Sequence, residues 1–203
     1  MPFTPDNELD LLFPSEYIPQ ATRDALPADC HVRNLVWSDR SCSACLSCML
    51  QLRPLASTDY ERGHLAVLSV LTVVSDPGEE AWLAQFNALR AAVNTYYSIV
   101  IVNKHTDRIV GAGSVFVECK FLRGLGSVGH IEDIAVDSQQ QGKKLGLRII
   151  QALTGISENS GCYKTILNCN DKNIRTCLFL WRFGHRRLIS SRWSISLLRE
   201  VWL

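Results

Sequence analysis

The stretch 130-HIEDIAVDSQQQGKKLG-146 passes from a strand pattern to a helix pattern through a polar loop. Ile131 to Val136 alternates and is rich in β-branched residues, as a strand requires. After Gln139 to Gln141 and Gly142, the apolar residues Leu145, Ile149, Ile150 and Leu153 recur at helical spacing. A helix that opens directly from a loop presents backbone N–H groups without intrahelical acceptors, together with the positive end of its dipole, which suits an anion such as phosphate. Gly142 and Gly146 remove side chains where backbone and ligand would meet. Leu145 follows Lys143 and Lys144, so there is no G-x-x-x-x-G-K-[ST] loop, and G-x-G-x-x-G is also missing. Taken alone, the junction reads equally as a well-formed strand–loop–helix corner.

With 203 residues the chain is long enough for one substantial core. A net charge of +1 gives no electrostatic case for nucleic acid or an anionic membrane as a bulk partner. The opening 1-MPFTPDNELDLLFPSEY-17 is acidic and broken by prolines, unlike a signal peptide, and no apolar run of about 18 residues suits membrane insertion. A soluble, cytoplasmic protein is expected. Its eight cysteines are then reduced thiols rather than a disulfide frame. Cys42, Cys45 and Cys48 have a C-x-x-C-x-x-C spacing, but no second C-x-x-C supplies further ligands, and no metal is expected.

Residues 1–29 read as a loosely ordered leader, rich in prolines and acids. In 57–74, Thr58 and Glu61 have capping-box spacing ahead of Leu65, Leu68 and Leu71, which predicts an amphipathic helix. Asp76-Pro77-Gly78 ends it, and a second helix from Glu79 places Trp82, Phe86, Leu89 and Val93 on one face. The stretch 96–118 reads as a β-hairpin around Asn-Lys-His-Thr-Asp, and 162-CYKTILNC-169 as a strand after the helix of the opening stretch. The order helix, helix, strand, strand, strand, helix, strand predicts a mixed α/β (α+β) domain without internal repeats.

The stretches 53-RPLASTDYERGHLAVLSVLT-72, 97-YSIVIV-102, 119-CKFLRGLGSVGHIEDIAV-136, 141-QGKKLG-146 and 161-GCYKTIL-167 together resemble the glucosamine 6-phosphate N-acetyltransferases, a branch of the GNAT acetyltransferases. The pattern K-F-x-R-x-x-G-x-x-G-H-I-E-D-I-A-V is specific to that branch, whereas Q-x-x-x-x-G alone indicates only the superfamily. The resemblance implies the GNAT fold, a central, mostly antiparallel, splayed sheet flanked by helices, over 30–173. It implies acetyl-coenzyme A as co-substrate, held by Ile134, Ala135 and Val136 along its pantetheine arm and by Gly142, Lys143, Lys144, Leu145, Gly146 and Leu147 at its pyrophosphate. A backbone N–H at Ile134 would stabilise the oxyanion. The amino-sugar phosphate would meet Thr72, Lys120, Phe121, Leu122, Arg123, Glu132, Asp133, Ile134, Tyr163, Lys164 and Asn168. Of these, Lys120, Arg123 and Lys164 suit the phosphate, and a carboxylate or backbone oxygen suits the amine. A homodimer is also implied, provided the C-terminal segment is intact. His130 reads either as a general base or as a structural histidine. Cys119 and Cys162 stay outside the chemistry, because direct amine attack needs no acyl-cysteine.

The chain departs from the family pattern in three places. Asn168 stands where relatives carry the aspartate of a D-C strand end that positions or deprotonates the amine; an amide accepts a hydrogen bond but takes no proton at neutral pH, and Asp171 would need another backbone path. After Asn173 the F-Y-x-K-x-G-F helix is missing: Cys177 falls where its tyrosine would stand, Arg182-Phe183-Gly184 resembles the motif shifted by three, and no closing strand is legible in the tail 174–203. If the tail is genuine, Trp181, Trp193 and Trp202 there require burial or form an aggregation hazard. Upstream, His31-Val32-Arg33 joined to Pro54-Leu55-Ala56 would make the family's opening strand, so 34–53 reads as an insertion of the kind a translated intron leaves. An acetyltransferase for another amine, or a catalytically impaired acetyl-coenzyme A-binding product of a faulty gene model, is the alternative these departures raise.

Overall fold

The computed structural model describes residues 3–24, 49–170 and 193–198, the last segment and residues 168–170 by their backbone alone. Cys42, Cys45 and Cys48, most of the expected insertion, and Asp171, Asn173, Cys177, Trp181, Arg182 to Gly184 and Trp202 lie outside the described residues. Six strands form one sheet in sequence order: β1 Leu50–Pro54, β2 Tyr96–Asn103, β3 Arg108–Cys119, β4 Ser127–Val136, β5 Cys162–Asn170 and β6 Trp193–Leu198. The first four run antiparallel, while β4–β5 and β5–β6 are parallel. The element order predicts this mixed α/β class, and the resemblance implies its mostly antiparallel sheet.

The β2–β3 hairpin turns where expected, with the Asn103 side chain accepting from the His105 N–H at 2.9 Å and Asp107 left-handed at φ 51°. Parallel β4 and β5 need a crossover, which the helix Leu145–Asn159 supplies. Leu145, Ile149, Ile150 and Leu153 are all buried against the sheet, so the predicted face is the observed one. In the helix Glu79–Ala91, Trp82 and Phe86 are buried and stacked with centroids 5.8 Å apart, Leu89 packs at the margin, and Val93 lies past the helix end at 75% exposure.

Three expectations differ from the structure. The helix predicted across 57–74 shrinks to His64–Leu68, starting at left-handed Gly63. Its capping box never forms, because the Thr58 hydroxyl accepts from Arg62 while Asp59, fully buried, accepts from the two terminal nitrogens of the Arg53 guanidinium at 2.7 Å and from the Ala56 N–H at 2.8 Å. The loosely ordered leader is instead packed over 3–24: it carries the short helix Gln20–Asp24, and it buries Leu12, Phe13 and Ile18 in the core. Residues 50–53, assigned to the insertion, form edge strand β1 with Leu50, Leu52 and Arg53 buried and with Leu52 opposite Ile101. Pro54 is tolerated because β1 is an edge. The helices are named α1 (Gln20–Asp24), α2 (His64–Leu68), α3 (Glu79–Ala91) and α4 (Leu145–Asn159).

The tail contributes β6, in parallel register from Thr165–Trp193 to Asn170–Leu198, where no closing strand was legible. Among the described residues no helix is long and apolar enough to cross a membrane.

Candidate active site

The sheet opens along β4. Its pairing with β5 runs from Ser127–Cys162 to Ile131–Leu167 and stops. Beyond that point the register of β4 with β3 continues through Glu132, Ala135 and Val136, and β5 continues from Asn168 beside β6. The backbone of Asn168 therefore stands where the two strands part, across from Glu132.

A bulge marks the same point. Ser114 faces Glu132 and Ala112 faces Ala135, so Gly113 alone opposes Asp133 and Ile134. Asp133 takes φ 56°, which redirects the strand so that Ile131 and Ile134, three residues apart, both face α4. Gly113 has no room for more: a Cβ there would meet Ile149 Cγ2 at 2.5 Å and Ile134 Cδ1 at 2.7 Å. Burial and the neighbouring Glu132 raise the Asp133 carboxyl above its usual range. Among the described residues no other strand covers the outer edge of this half-strand, an arrangement that an extended ligand can extend as an added strand.

At the end of that edge the chain turns into α4. Asp137 caps the short turn by accepting from the Gln139 N–H at 2.8 Å, and Lys143 donates to Gln140 at 2.6 Å. Gly142 is left-handed at φ 83° with open space around its missing side chain. The helical ladder begins with the Arg148 N–H bonded to the Lys144 carbonyl at 3.2 Å, so the N–H groups of Leu145, Gly146 and Leu147 precede it. No acidic residue occupies the first turn of α4 to compete for an anion. A Cβ at Gly146 would lie at ordinary contact distance from Val136 Cγ2 and Ile134 Cγ2, 3.8 and 3.9 Å, so α4 packs onto β4 at this point without requiring a glycine.

The cationic residues gather at the other end of β4. Between β3 and β4 a tight turn is closed by the Lys120 N–H to Gly126 carbonyl bond at 2.9 Å, with Arg123, Gly124 and Leu125 all left-handed. Arg123 lies over the Tyr163 ring at 5.9 Å, and that ring packs so closely on Gly126 that a Cβ there would sit 2.7 Å away. Lys164 pairs across from Val128. Arg123 and Tyr163 are thus in contact, Lys120 stands at the root of the same turn, and Lys164, next to Tyr163 in β5, alternates to the other face of the sheet, while Phe121 and Leu122 are exposed at 95% and 72%. Thr72 is exposed in the bend after α2 and makes no hydrogen bond to this turn.

Glu118, which the sequence reading passed over, ties the cluster together. It accepts from Lys120 at 2.6 Å and from His130 at 2.9 Å, and these contacts, Lys120 first, hold its carboxyl below the usual range. Its signal in the sequence is position alone: two residues beyond Phe116 in the hairpin, on the face that His130 shares. Cys162 is buried, which raises its thiol pKa, and exposed Cys119 accepts only a long contact from Ser127 at 3.9 Å.

A family model described as Acetyltransferase (GNAT) family matches residues 53–185. The chain is 40% identical over 126 residues to glucosamine 6-phosphate N-acetyltransferase 1 of Dictyostelium discoideum, covering 62% of this chain and 80% of that one. It is 41% identical over 124 residues to the probable glucosamine 6-phosphate N-acetyltransferase 2 of Oryza sativa subsp. japonica, covering 60% and 75% respectively. Among solved structures, the crystal structure of glucosamine-6-phosphate N-acetyltransferase from Arabidopsis thaliana aligns with a TM-score of 0.64 at 31% identity, over 75% of this chain and 98% of that one.

Proposed function

The chain belongs to the acetyltransferase (GNAT) family, and on that premise we propose that it moves acetyl from acetyl-coenzyme A to the amine of D-glucosamine 6-phosphate. The product, N-acetylglucosamine 6-phosphate, would serve UDP-N-acetylglucosamine biosynthesis in the cytoplasm. The observation that carries this reading is the 40% identity to a relative of that name across 80% of its length. The site chemistry supports it at both ends.

The uncovered edge of β4 and the start of α4 fit the co-substrate. Ile134, Ala135 and Val136 offer main-chain donors and acceptors to an extended arm. Gly142, Lys143, Lys144, Leu145, Gly146 and Leu147 surround a helix start suited to a pyrophosphate. Bound there, the co-substrate supplies an acetyl thioester, and a backbone N–H of the bulged strand at Ile134 can take the charge that develops on its carbonyl oxygen. Lys120, Arg123 and Lys164 would meet the sugar phosphate, with Phe121, Leu122 and Tyr163 around it and Thr72 reaching from the segment after α2. Glu132 and Asp133, at the point where β4 and β5 part, would orient the amine. Asn168 can accept a hydrogen bond from that amine but not a proton, so positioning and oxyanion stabilisation supply most of the acceleration. The same reading carries a homodimer that depends on the C-terminal segment.

The test is acetyl-coenzyme A consumption by the purified chain with glucosamine 6-phosphate and with unphosphorylated glucosamine. Turnover that requires the phosphate is expected. Turnover with neither sugar, or equally with both, would overturn the assignment.

A further inference from the structure

The Glu118 carboxylate is held from two sides, Oε1 by the Lys120 ammonium at 2.6 Å and Oε2 by His130 Nε2 at 2.9 Å. An ionised carboxylate only accepts, so Nε2 carries the hydrogen in this contact. The His130 ring is itself fixed: it stacks on Phe116 with centroids 4.6 Å apart and planes 6° from parallel. Phe116 and His130 are register partners on neighbouring strands, and Glu118 lies two residues further along β3 on the same face. Lys120 follows at the root of the turn whose far side places Arg123 over Tyr163.

We propose that Glu118 and His130 are positioning residues that aim the Lys120 ammonium at the substrate phosphate, an inference that rests on the function proposed above. A free lysine side chain would lose rotamer freedom on meeting a phosphate. With one N–H already held by Glu118, that ordering precedes the ligand, and two donors remain for phosphate oxygens. His130 keeps the carboxylate from swinging, and Phe116 keeps His130 from swinging. The chain Phe116, His130, Glu118, Lys120 thus carries rigidity from the sheet to a side chain on an otherwise exposed turn.

Two variants test this. Glu118→Gln removes the charge that holds Lys120, and His130→Phe keeps a ring to stack on Phe116 while deleting the Nε2 donor. Acylation of Lys120 by an N-hydroxysuccinimide ester, read by mass spectrometry on the full chain, should be several-fold faster in both variants, with Lys104 as an unchanged internal reference. Equal labelling rates would overturn the clamp. In steady-state assays His130→Phe should raise KM for glucosamine 6-phosphate about fivefold, the effect of losing roughly one hydrogen bond's worth of positioning. Its kcat, its KM for acetyl-coenzyme A and any turnover of unphosphorylated glucosamine should not change. An unchanged KM, or a parallel loss with both sugars, would overturn the aiming role. Wild-type protein that turns over neither sugar would overturn the proposed function and the phosphate target with it, while the labelling rates decide the clamp separately.

Discussion

His64, at the first position of α2, accepts a hydrogen bond through Nδ1 from the Trp82 indole N–H of α3 at 3.3 Å. Burial of the ring lowers its pKa from 6.5 to about 4, against a smaller opposing pull from Asp59. Above pH 6.5 neither the folded nor the unfolded chain protonates this histidine. As pH falls from 6.5 towards 4, the unfolded chain takes up a proton that the folded chain refuses, so stability declines across that window and the decline levels off below it. The full effect is about 3 kcal/mol. His64→Gln keeps an acceptor for Trp82 and removes the titration; its urea midpoint should change less than the wild type's between pH 7 and pH 4.5, and identical pH profiles would contradict the assignment. None of this was legible from Gly63-His64-Leu65, because the desolvation comes from residues distant in sequence. The same holds for His130: its sequence left base and structural roles open, and only the β3–β4 register sets it against Glu118 and Phe116.

At the scale of elements, α4 and the strands beneath it were legible because their signals are local. Leu145, Ile149, Ile150 and Leu153 need only a 3.6-residue period to be recognised. The bulge at Asp133 was not, since it depends on which residue of β3 stands opposite. Nor was the shortening of α2, where a buried carboxylate at Asp59 takes its partners from Arg53 and Ala56 rather than capping a helix. The α4–β4 contact is close enough to predict a quantitative failure. A Cβ at Gly129 would lie 2.2 Å from Ser157 Oγ and 2.9 Å from Ser157 Cβ, and that hydroxyl is buried and bonded to Thr165 at 2.8 Å. Gly129→Ala should therefore cost about 2–3 kcal/mol through overpacking. Ser157→Gly clears the space at a cost of about 1–2 kcal/mol, through lower helix propensity and loss of the buried hydrogen bond to Thr165. The double variant should be more stable than the two single losses sum to, measured as a double-mutant cycle in urea. Strict additivity would show that the strand moves away instead.

At the scale of the whole molecule, the ends of the described chain were the least legible parts and close the fold at both edges. The strand β6 reads as 193-WSISLL-198, an alternating pattern, and it pairs in parallel along β5. At the opposite edge, residues 3–24 carry few periodic apolar positions, so composition alone suggests loose order. What docks them is a small set of contacts with distant chain. The Leu12 N–H bonds to the Leu55 carbonyl at 2.7 Å, Ser57 N–H to Asp10 at 2.9 Å, and Gln51 to the Asp6 carboxylate at 2.7 Å. Pro19 packs on α4 so closely that a Cβ at Gly155 would lie 2.4 Å from its ring. Ile18 is 0% exposed, and nearby in the chain Phe13 meets the Tyr97 ring of β2 edge to face while Tyr17 packs on it at a tilt. A segment docked this way contributes to global stability rather than fraying separately, because its apolar side chains share the core with β1, β2 and α4. Ile18→Ala should then cost about 2–5 kcal/mol and shift the single cooperative transition of the whole domain. If the segment were only loosely attached, the same change would leave the unfolding midpoint in place and appear solely as faster proteolysis within residues 3–24. Limited proteolysis alongside urea unfolding of the two proteins separates these outcomes.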